Sequence, residues 1–247
     1  ATAPHSLLLL GWGLLILFAG LYAQSGFVKQ TVARYFGAHG FYRDAVRNGR
    51  DIRPGLNAAL LLLVAGALGI IGLLMTRAAA AAPVTEHVLS ALPSAITGIL
   101  APSLTQPILA GVAVGSLTLF LLVVWTGGLV LGARRQTNFS VAQGLMLVAW
   151  PCWPVLPVLV VALITATHPP LSPALLWTLV LGGGTGTIAA VTIRVLRDYA
   201  SVAGVPRSQV LALALSSPLV LLGLASLTLV LSYDLPLSLF WALLTHT

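Results

Sequence analysis

Apolar residues in this chain come as long blocks, each bounded by charges, prolines or small polar residues. Six blocks have close to the ~20 residues needed to cross about 30 Å of hydrocarbon. They run from Leu7 to Tyr22, Leu56 to Met75, Pro107 to Leu131, Gln143 to Thr165, Ala174 to Ile193 and Val210 to Leu231. In lipid a lone segment satisfies its backbone hydrogen bonds only as a helix, and the alternating pattern of a barrel strand is absent. The pattern therefore predicts an all-α integral membrane protein with six transmembrane helices. It divides the chain into residues 1–54 (one helix and a basic loop), a five-helix core over 55–232, and an interfacial tail over 233–247. That tail carries Trp241 and an apolar run, Leu235 to Leu244, too short to cross. Val84 to Thr105 is interrupted by Pro93 and Pro102 and begins with Glu86 and His87, so an interfacial helix is expected there. The first block lacks the basic stretch that precedes the apolar core of a cleavable signal, so it is expected to be retained.

Composition agrees with lipid as the solvent. Of 247 residues, 58% are hydrophobic and 7% charged, where soluble domains have roughly 25% charged residues; the mean hydropathy is +1.02. The formal charge of +7 is then a matter of topology, and no nucleic-acid partner is expected. If Ser25–Pro54 is cytoplasmic, the Arg134–Asn138 loop and the Arg197–Arg207 turn are cytoplasmic too, and with Arg194 these regions hold every Lys and Arg except Arg77. The positive-inside rule then sets both termini outside, with a bacterial inner (cytoplasmic) membrane as the expected location.

Candidate chemistry is sparse. His5, His39, His87, His168 and His246 all fall in expected loops or termini, which leaves no pair of haem ligands inside the spans. Asp44, Asp51, Glu86, Asp198 and Asp234 are likewise expected at interfaces or in loops, so no intramembrane proton relay is assembled. Cys152, the single cysteine, can form no disulfide within the chain and reads as packing. No cofactor, metal or catalytic residue is expected. Gly182, Gly183, Gly184 and Gly186 lie in a GGGTGT run without the Lys-Ser or Lys-Thr ending of a phosphate loop; they read as helix packing, as do Gly111 and Gly115 at small-xxx-small spacing. Pro151, Pro154 and Pro157 recur every third residue in the fourth span and must kink or unwind it. The segment Phe41–Arg47 is amphipathic and basic. With Arg50 and Arg53, its Arg43 and Arg47 form a candidate surface for anionic headgroups or for a protein partner.

The order of these segments resembles the five-helix core of the Yip family, the Ypt-interacting proteins, over roughly residues 41–232. Three stretches carry the likeness: FYRDAVRNGRDIRP (41–54) before the first core helix, RQTNFSVAQ (135–143) before a proline-bearing helix, and RVLRDY (194–199) with GVPRSQ (204–209) around a short turn. The extra N-terminal span and the proline density of the fourth depart from that arrangement. The resemblance implies an architecture of membrane helices without enzymatic activity. The function expected is that of a non-catalytic accessory subunit or interaction partner, contacting membrane lipids and other membrane subunits. Two alternatives stand beside it. One is a small-solute transporter or channel using the proline-broken helix. The other is a subunit that forms a hydrophobic wall for quinone or pigment through Trp125, Trp150, Trp153 and Trp177.

Overall fold

The computed structural model describes residues 5–80, 89, 94–133, 139–167, 183–218, 220, 221 and 224. Among these there are ten helices and no strand. They are α1 (His5–Gln24), α2 (Gly26–Gly37), α3 (His39–Arg47), α4 (Pro54–Ala80), α5 (Ser94–Thr105), α6 (Pro107–Ala133), α7 (Val141–Ala149), α8 (Val155–Thr167), α9 (Gly183–Ala203) and α10 (Arg207–Leu215).

Helix α4 is the centre of the molecule and touches α1, α6, α7 and α8. Its buried side chains lie on most of its sides: Leu60, Leu61, Leu63, Val64, Ala65, Ile70, Leu73 and Leu74, with Leu62 exposed. A helix apolar on every side is what a bundle interior requires. Its longest partner is α6, and glycine sets how near the two come. A Cβ on Gly69 would meet the Gly111 carbonyl oxygen at 2.8 Å, and one on Gly115 would meet the Ala65 carbonyl oxygen at 3.1 Å. The backbones are in direct contact there, the arrangement small residues permit between membrane helices. The far side of α6 exposes Ile108, Val112, Phe120 and Leu131, and α1 exposes Leu9, Leu10 and Ile16.

Among the described residues two helices, Pro54–Ala78 and Pro107–Ala133, are long and apolar enough to cross a membrane, and α1 with α2 makes a third candidate bent by 95°. This is fewer than the six spans expected from the sequence, for identifiable reasons. The fourth is split into α7 and α8 by the turn Trp150–Pro154. The fifth is described only from Gly183 onward, where α9 carries Arg194, Arg197 and Asp198 in its second half. The sixth is described as α10 and a few residues beyond it. Gly182, Trp177, His87, His168, His246, Glu86, Asp234, the Arg134–Asn138 loop, the start of the expected Val84–Thr105 helix and the 233–247 tail lie outside the described residues.

The basic stretch expected as a connecting loop, with an amphipathic helix at Phe41–Arg47, is helical over most of its length. α2 follows α1 after Ser25, whose hydroxyl caps the new helix by accepting from Val28 N at 3.3 Å. α2 then turns into α3 at Ala38. Beyond α3 the chain reverses through Gly49 (φ 65°) and Asp51 (φ 54°). Asp51 adopts the left-handed region that a short polar side chain tolerates, and its carboxylate is held by Arg34 at 3.1 Å. α2 and α3 together form a cap over one end of the bundle, the end shared by the start of α4 and α7 and the finish of α6 and α9.

Candidate functional site

The cap is docked by polar contacts as well as by burial. On α3, Tyr42 and Val46 are fully buried while Phe41, Asp44 and Arg47 face outward. The Tyr42 hydroxyl donates to the Met146 carbonyl at 3.0 Å. At the start of α7, Ser140 and Gln143 form a reciprocal capping box. The Gln143 amide nitrogen also donates to the carbonyls of Val46 (2.7 Å) and Arg47 (3.2 Å). One side chain thus closes the N-terminus of α7 and occupies the orphan carbonyls at the C-terminus of α3. Arg47 donates to the Ser201 carbonyl at the end of α9. Around the same end, the Tyr199 hydroxyl donates to Leu129 O at 2.9 Å, and Gln209 donates to Gly132 O.

Inside this joint lies a cluster of ionisable side chains. Asp198 of α9 is 1% exposed, and its Oδ1 is 2.8 Å from His39 Nε2 on α3. The other ring nitrogen, Nδ1, is 3.1 Å from the Tyr35 carbonyl oxygen. Arg194 Nε stands 3.9 Å from Asp198 Oδ2, too far for a hydrogen bond, and both atoms are buried without a hydrogen-bond partner. The guanidinium of Arg194 lies over the Tyr35 ring, 5.3 Å from its centroid. The His39 ring is stacked on Tyr42 at 5.5 Å and meets Tyr35 edge-on at 5.2 Å. Burial pushes the Tyr35 phenol up to about 12 against the opposing pull of Arg194, and burial holds the Tyr42 phenol well above the ordinary tyrosine value. Both rings are therefore neutral hydroxyl-bearing walls at physiological pH.

This cluster corrects the sequence reading, which set His39 in a loop and Asp198 at an interface. The two residues are 159 positions apart, and no local spacing links them. The one available signal was compositional: an acid flanked by Arg194 and Arg197 on an otherwise apolar helix, which a buried carboxylate needs for partners.

The other candidate residues are spread more widely. Arg43 is half-buried, and Arg47, Arg50 and Arg53 are exposed; Arg53 stacks over Phe27 at 5.3 Å. Pro151 is buried in the turn between α7 and α8, while Pro154 and Pro157 are exposed. Within that turn the backbone makes short-range bonds, Trp153 N to Trp150 O (3.3 Å) and Val155 N to Cys152 O (3.1 Å). Trp150 Nε1 donates to the fully buried Asn57 at 3.1 Å. Asn57 Nδ2 and Trp153 Nε1 are buried donors without a hydrogen-bond partner. Gly111 and Gly115 meet at the α4 contact described above, whereas a Cβ at Gly183 or Gly186 meets nothing within 4 Å; Gly184 lies in the first turn of α9. Cys152 is buried and free, and lines an apolar cavity with Val64, Leu122, Trp125, Val191 and Thr192. No group of three or more metal-ligating side chains occurs among the described residues.

In comparisons with known proteins, no family model, no curated protein and no solved structure matches this chain.

Proposed function

We propose that this protein is a six-span, non-catalytic membrane component that works by association, as an accessory subunit of a larger membrane assembly. It sits with both termini outside and the α2–α3 cap on the cytoplasmic leaflet. The observation that carries the reading is the contrast between its two kinds of surface. Helices α1 and α6 present long apolar faces, with Ile16 70% and Leu131 65% exposed. The cap and the turn that follows it present Lys29, Arg47, Arg50 and Arg53. Apolar faces of that extent belong against lipid or another apolar surface. Cations beside an anionic leaflet are each worth about 1 kcal/mol of attraction. The 95° turn between α1 and α2 supports the placement: with α1 along the bilayer normal, α2 runs in the plane of the headgroups. The Yip-like order of segments is consistent with a role without catalysis.

The test is extraction of the native protein in a mild detergent, followed by size separation, mass spectrometry and an absorption spectrum. The reading expects stoichiometric co-migration with other membrane proteins and no chromophore. A colourless species containing this chain alone would overturn it.

A further inference from the structure

We propose that His39 and Asp198 form a proton-operated latch, which holds the α2–α3 cap on the bundle when His39 is charged and loosens it when the ring becomes neutral.

The argument begins with what each ring nitrogen faces. Nε2 is 2.8 Å from a carboxylate oxygen, and Nδ1 is 3.1 Å from a backbone carbonyl oxygen. Both partners accept and neither donates while Asp198 is ionised. The ring satisfies both only by donating from both nitrogens, as the imidazolium does. A neutral ring has one donor. It either keeps the bond to Asp198 and turns a lone pair on the Tyr35 carbonyl, or keeps Tyr35 and turns a lone pair on the carboxylate. In either case a charge-assisted contact becomes a weaker or a repulsive one.

The surroundings make the loss matter. Asp198 is 1% exposed and its second oxygen has no hydrogen-bond partner, so water offers little compensation when His39 discharges. Every element packed around the pair contributes a named group. α2 supplies the Tyr35 phenol, α3 the Tyr42 phenol, and α9 the Arg194 guanidinium at 3.9 Å. The α7–α8 turn contributes the buried Cys152 thiol. Histidine is the side chain whose ordinary charge change falls between pH 5 and 8, whereas burial holds the two phenols above that range. The ring is reachable, its side chain being 21% exposed.

The latch lies across the joint between the leading end of α3 and α9. His39 is the first residue of α3, directly after Ala38, the non-helical residue between α2 and α3. Its partner sits on α9, one turn before Ser201, which receives Arg47 from the far end of α3. Losing the His39 contact therefore releases the leading end of α3, while Gln143 still holds the trailing end.

The test is hydrogen exchange of segment 39–47 in protein reconstituted into neutral-lipid nanodiscs, from pH 5.5 to 8, with rates divided by the intrinsic exchange rate at each pH. The expected result is a fall in protection of about tenfold with rising pH, the difference between a charge-assisted and an ordinary hydrogen bond. His39→Gln donates from one amide and does not titrate, so its protection is expected to be low and independent of pH. Protection that is constant with pH in the wild type overturns the proposal, and so does the same pH dependence in wild type and His39→Gln. The latch does not rest on the accessory-subunit reading, since the measurement uses the isolated chain.

Discussion

Burial sets how the tyrosines of the cap ionise. Tyr35 has its phenol raised from 10.0 to about 12, and Tyr42 is displaced in the same direction. A phenol whose value is higher folded than unfolded supports folding fully below the unfolded value. That support is lost as the pH rises through the folded value, because the unfolded chain gives up its protons first. The melting temperature in detergent is therefore expected to fall between about pH 10 and 12, and Tyr35→Phe to make the fall shallower. An unchanged profile in the variant would mean that Tyr35 is solvated. At this scale little of the site was legible in the sequence. That Asp198 is buried depends on a histidine brought to it by two successive turns, at Ser25 and at Ala38; Gly26 and Gly37 stand beside those turns, but a local glycine does not say which distant helix the histidine will reach. The buried Gln143 was equally hidden: its role as a cap was readable from Ser140 three positions earlier, but its bonds to Val46 and Arg47 were not.

Among the elements, the glycines separate into two groups that look alike in sequence. Gly69 has a backbone carbonyl where its Cβ would go, so Gly69→Ala must push α4 from α6. A loss of about 1–3 kcal/mol is expected, as for other overpacked contacts. Gly186 has open space around it and lies inside α9. Gly186→Ala is expected to be neutral or to stabilise by up to about 1 kcal/mol, by removing backbone freedom from the unfolded chain. Thermal unfolding of both variants in one detergent decides the matter; equal effects would mean that the α4–α6 contact is looser than drawn. The long apolar elements α4 and α6 were legible because composition alone identifies them. The interruption after α7 was legible because proline acts on its own backbone. The helices α2 and α3 were not read as a docked cap, since their buried sides, Val28, Thr31 and Tyr35 on α2 and Tyr42 and Val46 on α3, are short apolar stripes within a polar stretch. Only the amphipathic run at Phe41–Arg47 gave one of them away.

For the molecule as a whole, the segregation of cations predicts how it sits. With Cys152 replaced by serine, a cysteine at position 50 is expected to react with an impermeant thiol reagent only from the cytoplasmic side, and one at position 77 only from the outside. Labelling of both from the same side would dismantle the topology. The overall all-helical class was legible from block lengths, but the number of crossings is not settled by them: α9 carries three charges and α7–α8 is broken, so neither reads as a simple hydrophobic rod once folded.

The elbow at Ser25 has a consequence for the bilayer itself. At 1.5 Å per residue, the 20 residues of α1 measure about 30 Å, the thickness of an average hydrocarbon layer. The 27 residues each of α4 and α6 measure about 40 Å by the same rise. The central pair meets a thicker membrane by standing more upright and a thinner one by leaning over. In the placement proposed above α1 would have no such slack, because α2 turns away at 95° where α1 ends and would run in the headgroup plane. In a thick membrane it would then be the lipid that gives way, dimpling inward around the first helix while the rest of the bundle straightens.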